Sequence, residues 1–139
     1  MNIVTYRIYR AFPIMKMYLS IYWNRFLFLM LGVNYGKCLR VHNKVYVLGK
    51  GQISIGDDFH FTSGDCLNPI CRNIRGVLYV PFKESKIEIG DGVGMSSTCI
   101  WAKEHIIIGN NVNIGGDCLI IDNDVHPHFH ICPKKISQT

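Results

Sequence analysis

No run of basic residues longer than Lys134-Lys135 occurs in this chain, although Lys and Arg outnumber Asp and Glu by 15 to 10. A net charge of +5 spread this thinly argues against a nucleic-acid patch and supports only a general attraction for anionic ligands. The six cysteines, Cys38, Cys66, Cys71, Cys99, Cys118 and Cys132, make no C-x-x-C pair. The usual zinc and redox spacings are therefore missing. The thiols read as reduced core residues in a reducing cytosol, with a disulfide as the alternative. The sequence also lacks an N-glycosylation acceptor, a Walker loop and a dinucleotide fingerprint; Gly49, Gly51 and Gly56 leave too long a last gap for the fingerprint. Asn24-Arg25 interrupts the apolar N-terminal stretch, short of the roughly 20 residues that a membrane span needs. That stretch has neither the unbroken apolar run nor the cleavage site of a signal peptide.

What is present is a period of six. Large apolar residues recur at Ile89, Met95 and Trp101, and again at Ile108, Ile114 and Ile120. Gly or Ser often follows (Gly90, Ser96, Gly109, Gly115), and a small or aliphatic residue stands four places on (Val93, Cys99, Val112, Cys118). This period fits neither a helix nor an alternating strand. It predicts a hexapeptide β-helix, in which three short strands close a coil and coils stack at roughly 4.8 Å. The step from Ile89 to Ile108 is nineteen residues, so a corner near Lys103–His105 bulges by one. On this reading Trp101 points inward, Cys99 and Cys118 stack in neighbouring coils, and Asn111 and Asn113 sit at corners. His60 and His105 lie in corner regions, at the surface.

Earlier in the chain, Val41 and Val45–Leu48 read as the first strands, and Ile55–Leu67 as an early repeat. Asn68 to Lys86 breaks the period; Val77 to Val80 suits a strand and the rest a loop projecting from a corner. Tyr79, Arg72 and Arg75 in this segment are candidate contacts for an acceptor or for cofactor phosphates. Pro13 suits the first turn of a helix over Ile14–Leu31, and Gly32 its stop. Lys16, Ser20 and Asn24 form a narrow polar stripe on it. This hydrophobic helix either packs on the domain or lies at a membrane surface. The expected organisation is a helical segment, residues 1–32, and a β-helix domain, residues 33–139, incomplete at its C-terminus.

Directly after the best repeat comes Asp122-Asn123-Asp124-Val125-His126-Pro127-His128-Phe129-His130. Histidines at 126, 128 and 130 would share one side of a strand, so a metal site is one reading, but Pro127 argues against a regular strand. A solvated turn without chemistry is another.

With the Ile89–Ile121 repeats and the Asp122–Pro127 segment together, the chain resembles the hexapeptide-repeat acyltransferases, in particular sugar and polysaccharide O-acetyltransferases; serine acetyltransferase is more distant. The resemblance covers roughly residues 14–130. It implies an all-β fold, a left-handed parallel β-helix with an N-terminal hydrophobic α-helix. It implies a homotrimer with active sites between prisms, acetyl-CoA as co-substrate, a sugar or polysaccharide hydroxyl as acceptor, and no metal. His126 is then the general base, since an alcohol needs its proton removed and a neutral imidazole suits that step. Asp122 or Asp124 would orient it, and His128 and His130 are alternates. The expected location is cytoplasmic, peripheral at the inner membrane face if the helix makes that contact. Family members continue with further coils beyond the histidine turn, whereas Ile131 to Thr139 shows no repeat. The alternatives are therefore a truncated, catalytically inactive homologue serving as a structural or oligomerising β-helix, and a serine acetyltransferase-like enzyme.

Overall fold

The computed structural model describes residues 2–64 and 74–124. One helix, α1 (Ile3–Met30), precedes twelve short strands. These are β1 (Asn34–Tyr35), β2 (Arg40–His42), β3 (Tyr46–Gly49), β4 (Gln52–Ile55), β5 (His60–Thr62), β6 (Val77–Val80), β7 (Lys86–Ile89), β8 (Gly94–Ser96), β9 (Cys99–Trp101), β10 (His105–Ile108), β11 (Asn113–Ile114) and β12 (Leu119–Ile121). They form three four-stranded sheets: β1-β4-β7-β10 (sheet A), β2-β5-β8-β11 (sheet B) and β3-β6-β9-β12 (sheet C). Every strand pair is parallel. The chain visits A, B and C in turn, four times over, which is the topology of a parallel β-helix.

The inward positions carry the aliphatic residues of the repeat. Ile53, Ile55, Ile87, Ile89, Val93, Met95 and Ile100 are all buried in one continuous core with Phe59, Phe61 and Leu78. Each such side chain stabilises the fold by about 2 kcal/mol. One corner shows why Gly-Asp or Gly-Asn recurs. The Asp57 carboxylate accepts the Lys37 N–H at 2.6 Å, Asp91 accepts the Asp57 N–H at 2.7 Å, and Asn110 accepts the Asp91 N–H at 2.8 Å. This ladder fills the space beside Gly36, Gly56 and Gly90, where a Cβ would meet the side-chain oxygen of the next coil. Beside Gly109, in the fourth coil, no atom of the described residues lies within 4 Å.

Three expectations need correction. First, the helix starts ten residues before Pro13 and runs through it. Proline removes one N–H donor and strains one turn, which a helix of 28 residues tolerates. Its end is as expected: Gly32 takes φ +72°, its N–H donates to Leu29 O, and Val33 N–H donates to Phe28 O, with both Phe28 and Val33 buried. Second, Trp101 does not point inward. Met95 pairs with Ile114 but Ile100 pairs with Ile120, so the corner at Ser97 is one residue shorter than its counterpart in the next coil. The inward slot falls on Ile100, fully buried, and Trp101 turns to the outer face. Third, the same slip sets Cys99 beside Leu119 rather than Cys118. Both thiols are free and half-buried, and burial pushes the Cys99 thiol above its ordinary pKa. The lost residue returns at the corner before His105, the expected bulge. Asn111 is a corner residue with φ 56°, while Asn113 opens β11. His60 and His105 open β5 and β10, both exposed. Val77–Val80 is strand β6, as the pattern predicted.

Ser20 and Asn24 of the polar stripe on α1 face the prism, whereas Lys16 is exposed. The Asn24 amide donates to Val41 O at 2.8 Å and to Asn43 O at 2.7 Å, Arg25 Nε donates to Leu39 O at 3.0 Å, and Ser20 Oγ accepts the Asn43 N–H at 2.8 Å. These bonds satisfy the Val41 carbonyl of β2, the edge strand of sheet B, and backbone groups of Leu39 and Asn43 on its two flanks. Among the described residues no helix is long and apolar enough to cross a membrane.

Candidate functional site

The outer face of sheet C differs from the other two. Its two register columns read Tyr46, Val77, Cys99, Leu119 and Leu48, Tyr79, Trp101, Ile121, without a charged residue. Sheet B shows Arg40, His60, Gly94, Asn113 and His42, Thr62, Ser96 in the equivalent places. Sheet A shows Gln52, Lys86, His105 and Asn34, Ser54, Glu88, Ile107, the last an exposed apolar residue. On sheet C the Tyr79 and Trp101 rings pack 5.6 Å apart at 37°. The indole Nε1 of Trp101 is buried with no acceptor among the described residues. A buried donor left open in this way is uncommon, and His42 Nδ1 is a second such atom. Leu48, Leu119 and Ile121 are 40–63% exposed along this face.

The second column of sheet C leads from Trp101 and Ile121 to Asp122. This carboxylate closes the bulged corner of the coil beneath it. Oδ1 accepts the Lys103 N–H at 2.6 Å, and Oδ2 accepts those of Glu104 and His105 at 2.8 Å. Asn123 Nδ2 adds a bond to Oδ1 at 3.3 Å. Partial burial raises the carboxyl pKa, but the three backbone N–H groups and Asn123 outweigh it and hold the group below its ordinary 3.8. Its four acceptor sites are occupied. Asp124 is exposed two residues on. His126, His128 and His130 lie outside the described residues, as do Arg72, Cys66, Cys71 and Cys132. No group of three or more metal-ligating side chains occurs among the described residues.

The remaining candidates have local partners. His105 Nε2 stands 3.0 Å from Glu88 Oε1 at the surface of sheet A. Arg75 donates to the Tyr46 hydroxyl at 2.7 Å, and that bond, ahead of the nearby charges of Arg75 and Lys44, lowers the Tyr46 pKa. His42 and His60 meet edge to face at 5.0 Å on sheet B, with Tyr18 of α1 against His42. The apolar outer column was missed because Trp101 had been assigned to the core; only Tyr79, outside the regular repeats, hinted at it. Comparisons with protein-family models, curated proteins and solved structures give no match.

Proposed function

We propose that the chain is an O-acetyltransferase of the hexapeptide-repeat kind, with a left-handed winding, moving an acetyl group from acetyl-CoA to a hydroxyl of a sugar or polysaccharide. The observation that carries this reading is the stack of coils built from six-residue repeats, which leads along the uncharged face of sheet C to Asp122, with His126 four residues on in the sequence. In this reading two prisms of a homotrimer flank that face. His126 takes the proton as the hydroxyl oxygen attacks the thioester carbon. The C–S bond then breaks, and the CoA thiolate leaves and is protonated. Asp122 or Asp124 orients the imidazole in this reading. The reaction places the protein with its cytoplasmic supply of acetyl-CoA.

The test is CoA release from acetyl-CoA across a panel of sugars. Wild-type chain should turn over and His126→Ala should lose at least about a hundredfold, the size of a general-base contribution, with the oligomer intact. Full activity in His126→Ala would remove the assignment. A second reading, a β-helix that only holds an assembly together, is favoured by the structural use of Asp122; it predicts no CoA binding by calorimetry and no turnover.

A further inference from the structure

Helix α1 turns its polar side to the prism and its apolar side away. Asn24 is buried and Ser20 and Arg25 are half-buried against the first coil, whereas Tyr18, Leu19, Tyr22, Trp23, Phe26 and Leu29 are 54–71% exposed. At about 100° per residue these six fall within an arc of about 140° that carries no charge. Lys16 borders the arc on one side and Arg25 on the other. The helix contains no Asp or Glu, and its charged residues, Arg7, Arg10, Lys16 and Arg25, are all cations. Beside it lies a groove of about 380 Å³ between α1 and the corner after sheet B. Lys16, Lys44 and Arg75 line it with Trp23 and Asn43, and among the described residues no carboxylate does.

We propose that α1 is a lipid-docking element that lies in the plane of an anionic phospholipid surface, its apolar arc at the acyl-chain boundary and the Lys16–Lys44–Arg75 groove holding a headgroup phosphate. Charge complementarity selects this occupant. A second copy of α1 would bring cation against cation, with no acid on either helix to receive it. A bilayer with anionic headgroups offers apolar depth and negative charge together. Tyr and Trp, amphipathic rings suited to the water–lipid boundary, make up half of the six exposed residues. The helix is not apolar enough to cross, which fits lying on the surface. The lipid contact is independent of the transferase chemistry.

Full-length chain is sedimented with phosphatidylcholine vesicles, with and without about one third phosphatidylglycerol. The expected result is binding at least about tenfold tighter to the anionic vesicles, each surface cation being worth about fivefold. Phe26→Glu with Leu29→Glu should abolish binding to both vesicle types. Lys44→Glu with Arg75→Glu should lose about tenfold or more on anionic vesicles alone, which keeps a result available if the first variant misfolds by circular dichroism. No sedimentation, equal binding to both vesicle types, or wild-type binding by folded variants of either kind would overturn the proposal. So would a Phe26→Glu/Leu29→Glu chain that dissociates to a smaller oligomer yet still sediments with lipid.

Discussion

The first and fourth coils of the prism are built differently. At the first coil α1 lies across the edge, and Asn24, Arg25 and Ser20 bond the backbone of β2 and its flanks. At the fourth coil no described element lies over Ile106, Ile108 and Ile114; these inward residues are more exposed than Ile87 and Val93 one coil below. Gly109 and Gly115 there have no atom of the described residues beside them, where Gly56 and Gly90 have a neighbour's side chain. A stacked coil gains its stability from the coil on each side. The same repeat is therefore worth more in the middle than at an end, and an end needs a cap made of something else.

The largest way to break this contrast is at the cap. Asn24→Ala leaves the carbonyls of Val41 and Asn43 without donors, each costing about 1–3 kcal/mol. A loss of about 3 kcal/mol in urea unfolding is expected, and a loss under about 1 kcal/mol would mean that water replaces the amide and the helix is not a cap. A smaller effect separates the middle coils from the fourth. Gly56→Ala forces a Cβ against the Asp91 side chain and should cost about 2 kcal/mol, in the range of overpacking. Gly109→Ala meets no atom of the described residues and should stay within about 0.5 kcal/mol. Equal losses would remove the distinction.

The smallest effect is a difference in pH window. His42 lies below the ordinary 6.5 through burial and then the charge of His60, against a hydrogen bond to the Met17 carbonyl that raises it. His60 is lowered by partial desolvation and by Arg40. The unfolded chain takes protons that these rings refuse. Their contribution is thus full above pH 6.5 and falls as the pH drops from there through the folded values. Asp122, also depressed, contributes fully above 3.8 and is lost as pH falls through its folded pKa. Unfolding midpoints measured against pH should therefore slope first at the capped end. His42→Gln should flatten the slope below pH 6.5, and Asp122→Asn the slope below 3.8. If His42→Gln leaves the upper slope unchanged, the histidine pair does not report on the cap.

Much of the fold was legible beforehand. A six-residue recurrence of Ile, Val and Met can only be buried all at once by a three-sided coil, and Gly32 after an unbroken helical stretch could only be a stop. Val77–Val80 showed its strand within an otherwise aperiodic segment. The candidate site was less legible. Asp122 stood out as an acid near histidines, but its ties to the corner at residues 103–105 come from a coil eighteen residues earlier and leave no local mark. Trp101 fitted the period so well that its true direction was hidden.

Sequence alone therefore determined the period, the number of faces and the place where helix gives way to coil, because each follows from spacing along the chain. Only the tertiary structure decided which way Trp101 points, since one residue missing at the Ser97 corner shifts the pleat and reverses the side chains of β9. It also decided that Ser20 and Asn24 of the polar stripe on α1 face inward. An amphipathic pattern marks two faces of a helix, but the carbonyls of Leu39, Val41 and Asn43 settled which one the domain would bury.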